Sequence, residues 1–188
     1  MNTADYALEI TKELQRSIAR ISNGEADQLA VMILEAGNVF VAGAGRSGLM
    51  GRALAMRLMH LGITAYVVGE TVTPGIGPGD LLVIGSGSGE TQSLVTMARK
   101  AKEIGAAVVT ATIYPDSTLG RLSDFPVCLP GTPKEQQAAG SGEKVTIQPM
   151  GSLFEQTLII LYDAVVLRLM EQRGQDSSQM FGRHANLE

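Results

Sequence analysis

The sequence predicts an α/β protein: a parallel sheet with helices on both faces. Three observations carry this. Five short apolar runs alternate with stretches of helical periodicity, so strands are joined by helical crossovers rather than hairpins. The 22 glycines, about 12% of 188 residues against a usual ~7%, cluster between the apolar runs. They do not recur every third residue, which excludes a collagen-like fibre. The length suits one compact domain spanning 1–188, with enough core to fold without disulfides or metal.

The elements follow in order. Residues 4–22 read as an amphipathic helix, because Leu8, Leu14, Ile18 and Ile21 recur at helical spacing among charges. Asn23-Gly24 ends it, and a second helix covers 25–35. Residues 39–42 form a buried strand that runs into Gly43-Ala-Gly45-Arg-Ser-Gly48, and a helix follows to about Leu61. A second strand lies at 65–68, and the Gly/Pro-rich stretch 69–79 is loop. A third strand at 80–84 ends in Gly85-Ser-Gly-Ser-Gly89-Glu-Thr91, which opens a helix to Ile104. A fourth strand at 107–111, a short helix near 118–122 and a fifth strand at 125–129 precede a polar loop over 130–148. A last helix spans about 150–172 and is apolar almost all round, so it must be covered on several sides. It is either a subunit interface or a central helix within the monomer. The order of strands cannot be read, but ligands of such sheets bind at the carboxyl ends of strands, and both glycine-rich loops lie there.

Composition excludes some functions. A net charge of −4 and no basic run longer than two residues argue against a nucleic-acid binder. The single cysteine, Cys128, lies in an apolar run and reads as a buried structural thiol. The N-terminus lacks the basic and apolar regions of a signal peptide, and 158–170, the most apolar segment, is too short to span a bilayer. The expected home is the cytoplasm.

The two loops carry the chemistry. Gly43 to Gly48 fits G-x-G-x-x-G, with Glu70 placed after the next strand as a ribose acid would be. Against a dinucleotide stand Arg46-Ser47 at the helix start, a second hydroxyl-rich loop, and too little chain for a substrate domain. In that second loop Ser86, Ser88 and Thr91 add hydroxyls to free helix amides, and the glycines, Gly87 and Gly89 among them, let backbone approach a ligand. No Walker lysine is present. The pattern fits a phosphate monoester; one serine acting only as a helix cap would leave the others unexplained.

Gly45-Arg-Ser47 and Gly85-Ser-Gly-Ser-Gly-Glu-Thr91 together resemble the sugar isomerase (SIS) domain family, which binds phosphosugars. Segments 55–62 and 149–155 and the tail 181–188 resemble its 6-phospho-3-hexuloisomerase branch, over essentially the whole chain. The resemblance implies a flavodoxin-like five-stranded parallel sheet with added N- and C-terminal helices. It places Ser47, Ser86, Ser88 and Thr91 around a phosphate, and implies a ketose-phosphate isomerase without cofactor or metal that forms a homo-oligomer, dimer or tetramer. Its alternatives are another SIS isomerase, or a sensor that binds a phosphosugar without turnover.

The same resemblance implies that Glu155 is the catalytic base, although Ser152-Leu-Phe-Glu155 also reads as a capping box. Arg46 is a candidate ligand for phosphate or hydroxyls. Glu90 would repel phosphate if it faced inward, so it is assigned backbone contact at most. His60 sits in the last turn of its helix, where a cation is favoured; it is also a candidate proton donor, reaching a neighbouring subunit's site. His184 lies in a terminal segment that reads as a mobile tail, and the resemblance implies a lid there.

Overall fold

The strands β1 (Val39–Gly43), β2 (Ala65–Val67), β3 (Leu81–Gly85), β4 (Ala107–Thr112) and β5 (Phe125–Cys128) pair in parallel in the order β2-β1-β3-β4-β5. They belong to a computed structural model that describes residues 1–131 and 146–187. Most of the loop expected over 130–148 thus lies outside the described residues. The described helices are α1 (Thr3–Ile18), α2 (Asn23–Glu35), α3 (Gly45–His60), α4 (Gln92–Ile104), α5 (Thr118–Leu122), α6 (Ser152–Arg173) and α7 (Ser177–Phe181).

The period-2 alternation of a strand sends its side chains to opposite faces. Val39, Val41, Leu81, Val83 and Val109 turn to one face and pack with α2, α3 and α6. Phe40, Ala42, Leu82, Ile84 and Val108 turn to the other and pack with α4 and α5. Both faces are buried, which is why these strands read as continuous apolar runs. Pro126 lies in β5, an outer strand, where the Cys128 amide donates to Glu25 Oε2 of α2 at 2.7 Å. Cys128 itself is half-buried, and burial followed by the nearby Glu25 charge raises its thiol pKa.

Strand order reverses at β1 and β3, whose following helices leave to opposite faces and open a crevice between their carboxyl ends. The turn from β1 into α3 depends on glycine. Gly45 has φ +56°, and a Cβ on Gly48 would sit 2.5 Å from the Gly43 carbonyl oxygen. The first turn of α3 is thereby pressed onto the end of β1.

The apolar helix α6 lies against α1, α2 and α3, with Leu158, Leu161 and Tyr162 buried in the same cluster as the sheet. It is therefore a central helix of the chain; Leu167 alone among its large apolar side chains is strongly exposed, at 65%. Helix α7 lies beyond the last helix that the sequence predicts. Its signal is Asp176-Ser-Ser-Gln179: the Asp176 carboxylate accepts from the Ser178 and Gln179 amides while Gln179 Oε1 accepts from the Asp176 amide. Among the described residues no helix is long and apolar enough to cross a membrane.

Candidate active site

The crevice holds a cavity of about 290 Å³. Ser47 of α3, the loop Gly85–Ser88, Thr91, and Phe154 and Glu155 of α6 line it. Thr91 is the N-cap of α4 but makes no side-chain capping bond, so its hydroxyl and the first amides of α4 remain for a ligand. Ala44, the N-cap of α3, likewise has no side-chain cap bond.

Ser86 and Ser88 use their oxygens to shape the loop. Ser86 Oγ accepts from the Gly89 amide at 3.2 Å, and Ser88 Oγ accepts from the Glu90 amide at 3.3 Å. Each hydroxyl keeps its proton to donate to an anion. Gly89 has φ +66°, and a Cβ there would fall 1.9 Å from Ser117 Oγ, so no other residue fits the turn. Gly87 lies against the Phe154 ring, which a Cβ would approach to 3.2 Å. Glu90 points to the other side of the loop, where Oε1 accepts from the Thr118 amide of α5 at 2.7 Å. That bond lowers its pKa from the ordinary value, and its charge is kept for α5 rather than for a ligand.

Glu155 is 7% exposed and sits in the first turn of α6. The capping box does not form: Gly151 is the N-cap, without a side-chain cap bond, and Ser152 Oγ accepts from Arg46 Nη1 at 2.8 Å. The same Nη1 is 3.1 Å from Glu155 Oε2. Arg46, itself half in solvent, therefore orients a buried carboxylate and places a positive charge beside it. Just before α6, Met150 has φ +56°, the one non-glycine residue with positive φ among those described.

The two histidines are elsewhere in the chain. His60 ends α3, about 20 Å along the helix axis from Ser47 at ~1.5 Å per residue. Its buried ring stacks on His184, with centroids 5.4 Å apart and planes at 16°. Arg57 Nη1 lies 3.4 Å from His60 Nδ1, and Arg183 Nη1 donates to the His60 carbonyl at 3.3 Å. Burial, then the Arg57 and His184 charges, lower the His60 pKa from the ordinary value. Of the expected residues, then, the fold brings Ser47, Ser86, Gly87, Ser88, Thr91 and Glu155 to one cavity, with Arg46 paired to Glu155; His60 and His184 are paired at the far end of α3. Ile113 and Tyr114 also line the cavity and were not expected. They follow β4 at the same sheet edge, so the rule that ligands bind at carboxyl ends points to them too.

A family model described as the SIS domain matches residues 32–160. The chain belongs to the SIS domain family. A Bacillus subtilis (strain 168) protein named 3-hexulose-6-phosphate isomerase is 55% identical over 188 residues, covering 100% of both chains. A Mycobacterium gastri protein of the same name is 42% identical over 179 residues, covering 95% of this chain and 88% of its own. A crystal structure from Methanococcus jannaschii, from which a molecular function of 3-hexulose-6-phosphate isomerase was inferred, superposes with a TM-score of 0.82. It is 32% identical, with 98% of this chain and 99% of that chain covered. The loops after β1 and β3, and Glu155, all fall inside the SIS match; α1 and the tail with His184 fall outside it.

Proposed function

We propose that the chain interconverts D-arabino-hex-3-ulose 6-phosphate and D-fructose 6-phosphate through a 2,3-enediolate. The observation that carries this reading is a buried carboxylate, Glu155, in the same cavity as the hydroxyls of Ser47, Ser86, Ser88 and Thr91. The names of the relatives from Bacillus subtilis and Mycobacterium gastri support it.

The hydroxyls and the first amides of α4 bind the phosphate, which fixes the sugar chain between the loop and Glu155. Glu155 removes the proton from C2. The C2–H electron pair becomes the C2=C3 bond, and the carbonyl pair moves onto O3. Arg46 faces Glu155 and stabilises the anion that develops. Transfer of the O2 proton to O3 and return of a proton from Glu155 to C3 leave a ketone at C2 and a hydroxyl at C3, so there is no net redox change. Such positioned proton transfer contributes about 10²–10⁴ in rate. Arg46, Ser47, Ser86, Gly87, Ser88, Gly89 and Thr91 are the binding residues of this reading, and Glu90 contributes through the loop backbone.

His60 and His184 enter this reading through a second copy of the chain. Leu49, Met56 and Met59 are exposed apolar residues of α3, between Ser47 and His60 in sequence. Antiparallel pairing along α3 would bring the histidines of one copy to the Glu155 cavity of the other, where they would act as proton donors. The reaction belongs in the ribulose monophosphate pathway of formaldehyde assimilation or detoxification, in the cytoplasm, with one SIS domain spanning the chain.

Fructose 6-phosphate in deuterated water tests the reaction. Isomerisation through the 2,3-enediolate puts deuterium at C3 and forms the hex-3-ulose; an aldose–ketose isomerase would label C1. Label at C1 alone overturns the reading in favour of another isomerase, and binding with no label at either carbon leaves a sensor.

A further inference from the structure

Glu13 of α1 is a buried carboxylate, 4% exposed, that the proposed chemistry does not use. All its hydrogen bonds go to one short segment. Oε2 accepts from Thr146 Oγ1 at 2.6 Å and from Gln148 Nε2 at 2.9 Å, and Oε1 accepts from the Ile147 amide at 2.7 Å. Burial raises the carboxyl pKa, but the bonds from Thr146, Gln148 and Ile147 outweigh it and leave the group ionised more readily than usual.

The segment so held leads directly into the candidate site. After Gln148 come Pro149, Met150 with its positive φ, and Gly151, which caps α6 and lines the cavity. The Ser152 amide donates to the Pro149 carbonyl, and the Glu155 amide to Gly151. Ser152 Oγ takes the Arg46 bond that also aims Arg46 at Glu155. One turn along α1, Ser17 Oγ lies 3.0 Å from Thr157 Oγ1, whose hydroxyl donates to the Leu153 carbonyl. Helix α1 thus grips both the entry to α6 and its first turns, at the positions either side of Glu155.

We infer that Glu13 is a positioning residue: from α1 it clamps 146–148 so that the left-handed turn at Met150 presents Glu155 and Ser152 to Arg46 and the cavity. The inference rests on the isomerase reading above. It goes beyond the family match, because Glu13 lies outside residues 32–160. An ionised carboxylate is required, since three donors converge on it. An amide would turn its own N–H groups on one of them, and the strap would shift. A shift of an ångström in a reacting group costs up to about a hundredfold in rate.

The test uses the full chain, in three variants. Glu13→Gln removes the charge, Thr146→Val removes one donor at nearly constant shape, and Thr146→Ser restores it. With fructose 6-phosphate as substrate, Glu13→Gln and Thr146→Val are expected to lower kcat by roughly ten- to hundredfold. KM should stay within about threefold, because the serine loop is untouched, and Thr146→Ser should recover most of the rate. If Glu13→Gln does not fold, Thr146→Val and Thr146→Ser decide. Variants that melt earlier yet keep kcat overturn the inference, since Glu13 is then only a fold contact. A rise in KM at constant kcat overturns it as well. A wild type inert towards fructose 6-phosphate overturns the isomerase reading and this inference with it, whereas an active wild type with full-rate variants overturns this inference alone.

Discussion

At the residue scale, the site depends on which atoms each side chain has left to offer. Glu155 is held by Arg46 and by its own amide's bond to Gly151, and its carboxylate opens on the cavity. Glu155→Gln keeps the shape and removes the proposed base, so turnover should fall by about 10²–10⁴. Fructose 6-phosphate affinity, measured by calorimetry, should barely change. A second prediction concerns His60, whose pKa is lowered from the ordinary 6.5 by burial and then by Arg57 and His184. The unfolded chain then takes up the proton more readily than the folded one. Stability is therefore full above pH 6.5 and falls as the pH drops through that value towards the folded pKa. Melting curves between about pH 7.5 and pH 5.5 should show a smaller acid loss for His60→Gln than for wild type. The serine loop was legible in the sequence because three hydroxyls among glycines admit few structural uses. The fate of Ser152 was not: Ser152-Leu-Phe-Glu155 spells a capping box, and the bond from Arg46, 106 residues away, that takes the Ser152 hydroxyl instead has no local signal. Glu13 gave no signal, since its donors lie over 130 residues away.

At the scale of elements, α6 is the member most exposed to packing changes. Leu158 is fully buried between it and β3, where a Cβ on Gly85 would come within 2.8 Å of Leu158 Cδ2. Leu158→Ala should cost about 2–5 kcal/mol in chemical denaturation, as the transfer and cavity contributions of a filled core predict. The strand and helix alternation was readable because both sheet faces are buried and the strands are uniformly apolar. The covering of α6 was not, because an all-round apolar helix is compatible with a partner chain or with the chain's own helices. Here α1, α2 and α3 supply the cover. Helix α7 escaped notice because its five residues are too short for periodicity, and the Asp176–Gln179 box is its only mark.

At the scale of the molecule, the separation of His60 from Ser47 along α3 makes a prediction about assembly. If one copy supplies the histidines and another the carboxylate, Glu155→Gln and His60→Ala chains should each be inactive alone. Mixed and refolded together, they should recover activity that neither shows, read by fructose 6-phosphate turnover. Absence of recovery in a sample shown by light scattering to contain mixed oligomers would remove the histidines from the neighbour's site. The sheet has a bearing on assembly too. On the outer side of β5, Pro126 has no amide to offer and the Cys128 amide is already occupied by Glu25. An open strand edge is a template for adding foreign strands, and natural sheets blunt it with proline and polar cover. This edge is thereby blunted against such recruitment, and Glu25 of α2 contributes to that protection from a position that has no part in the proposed chemistry.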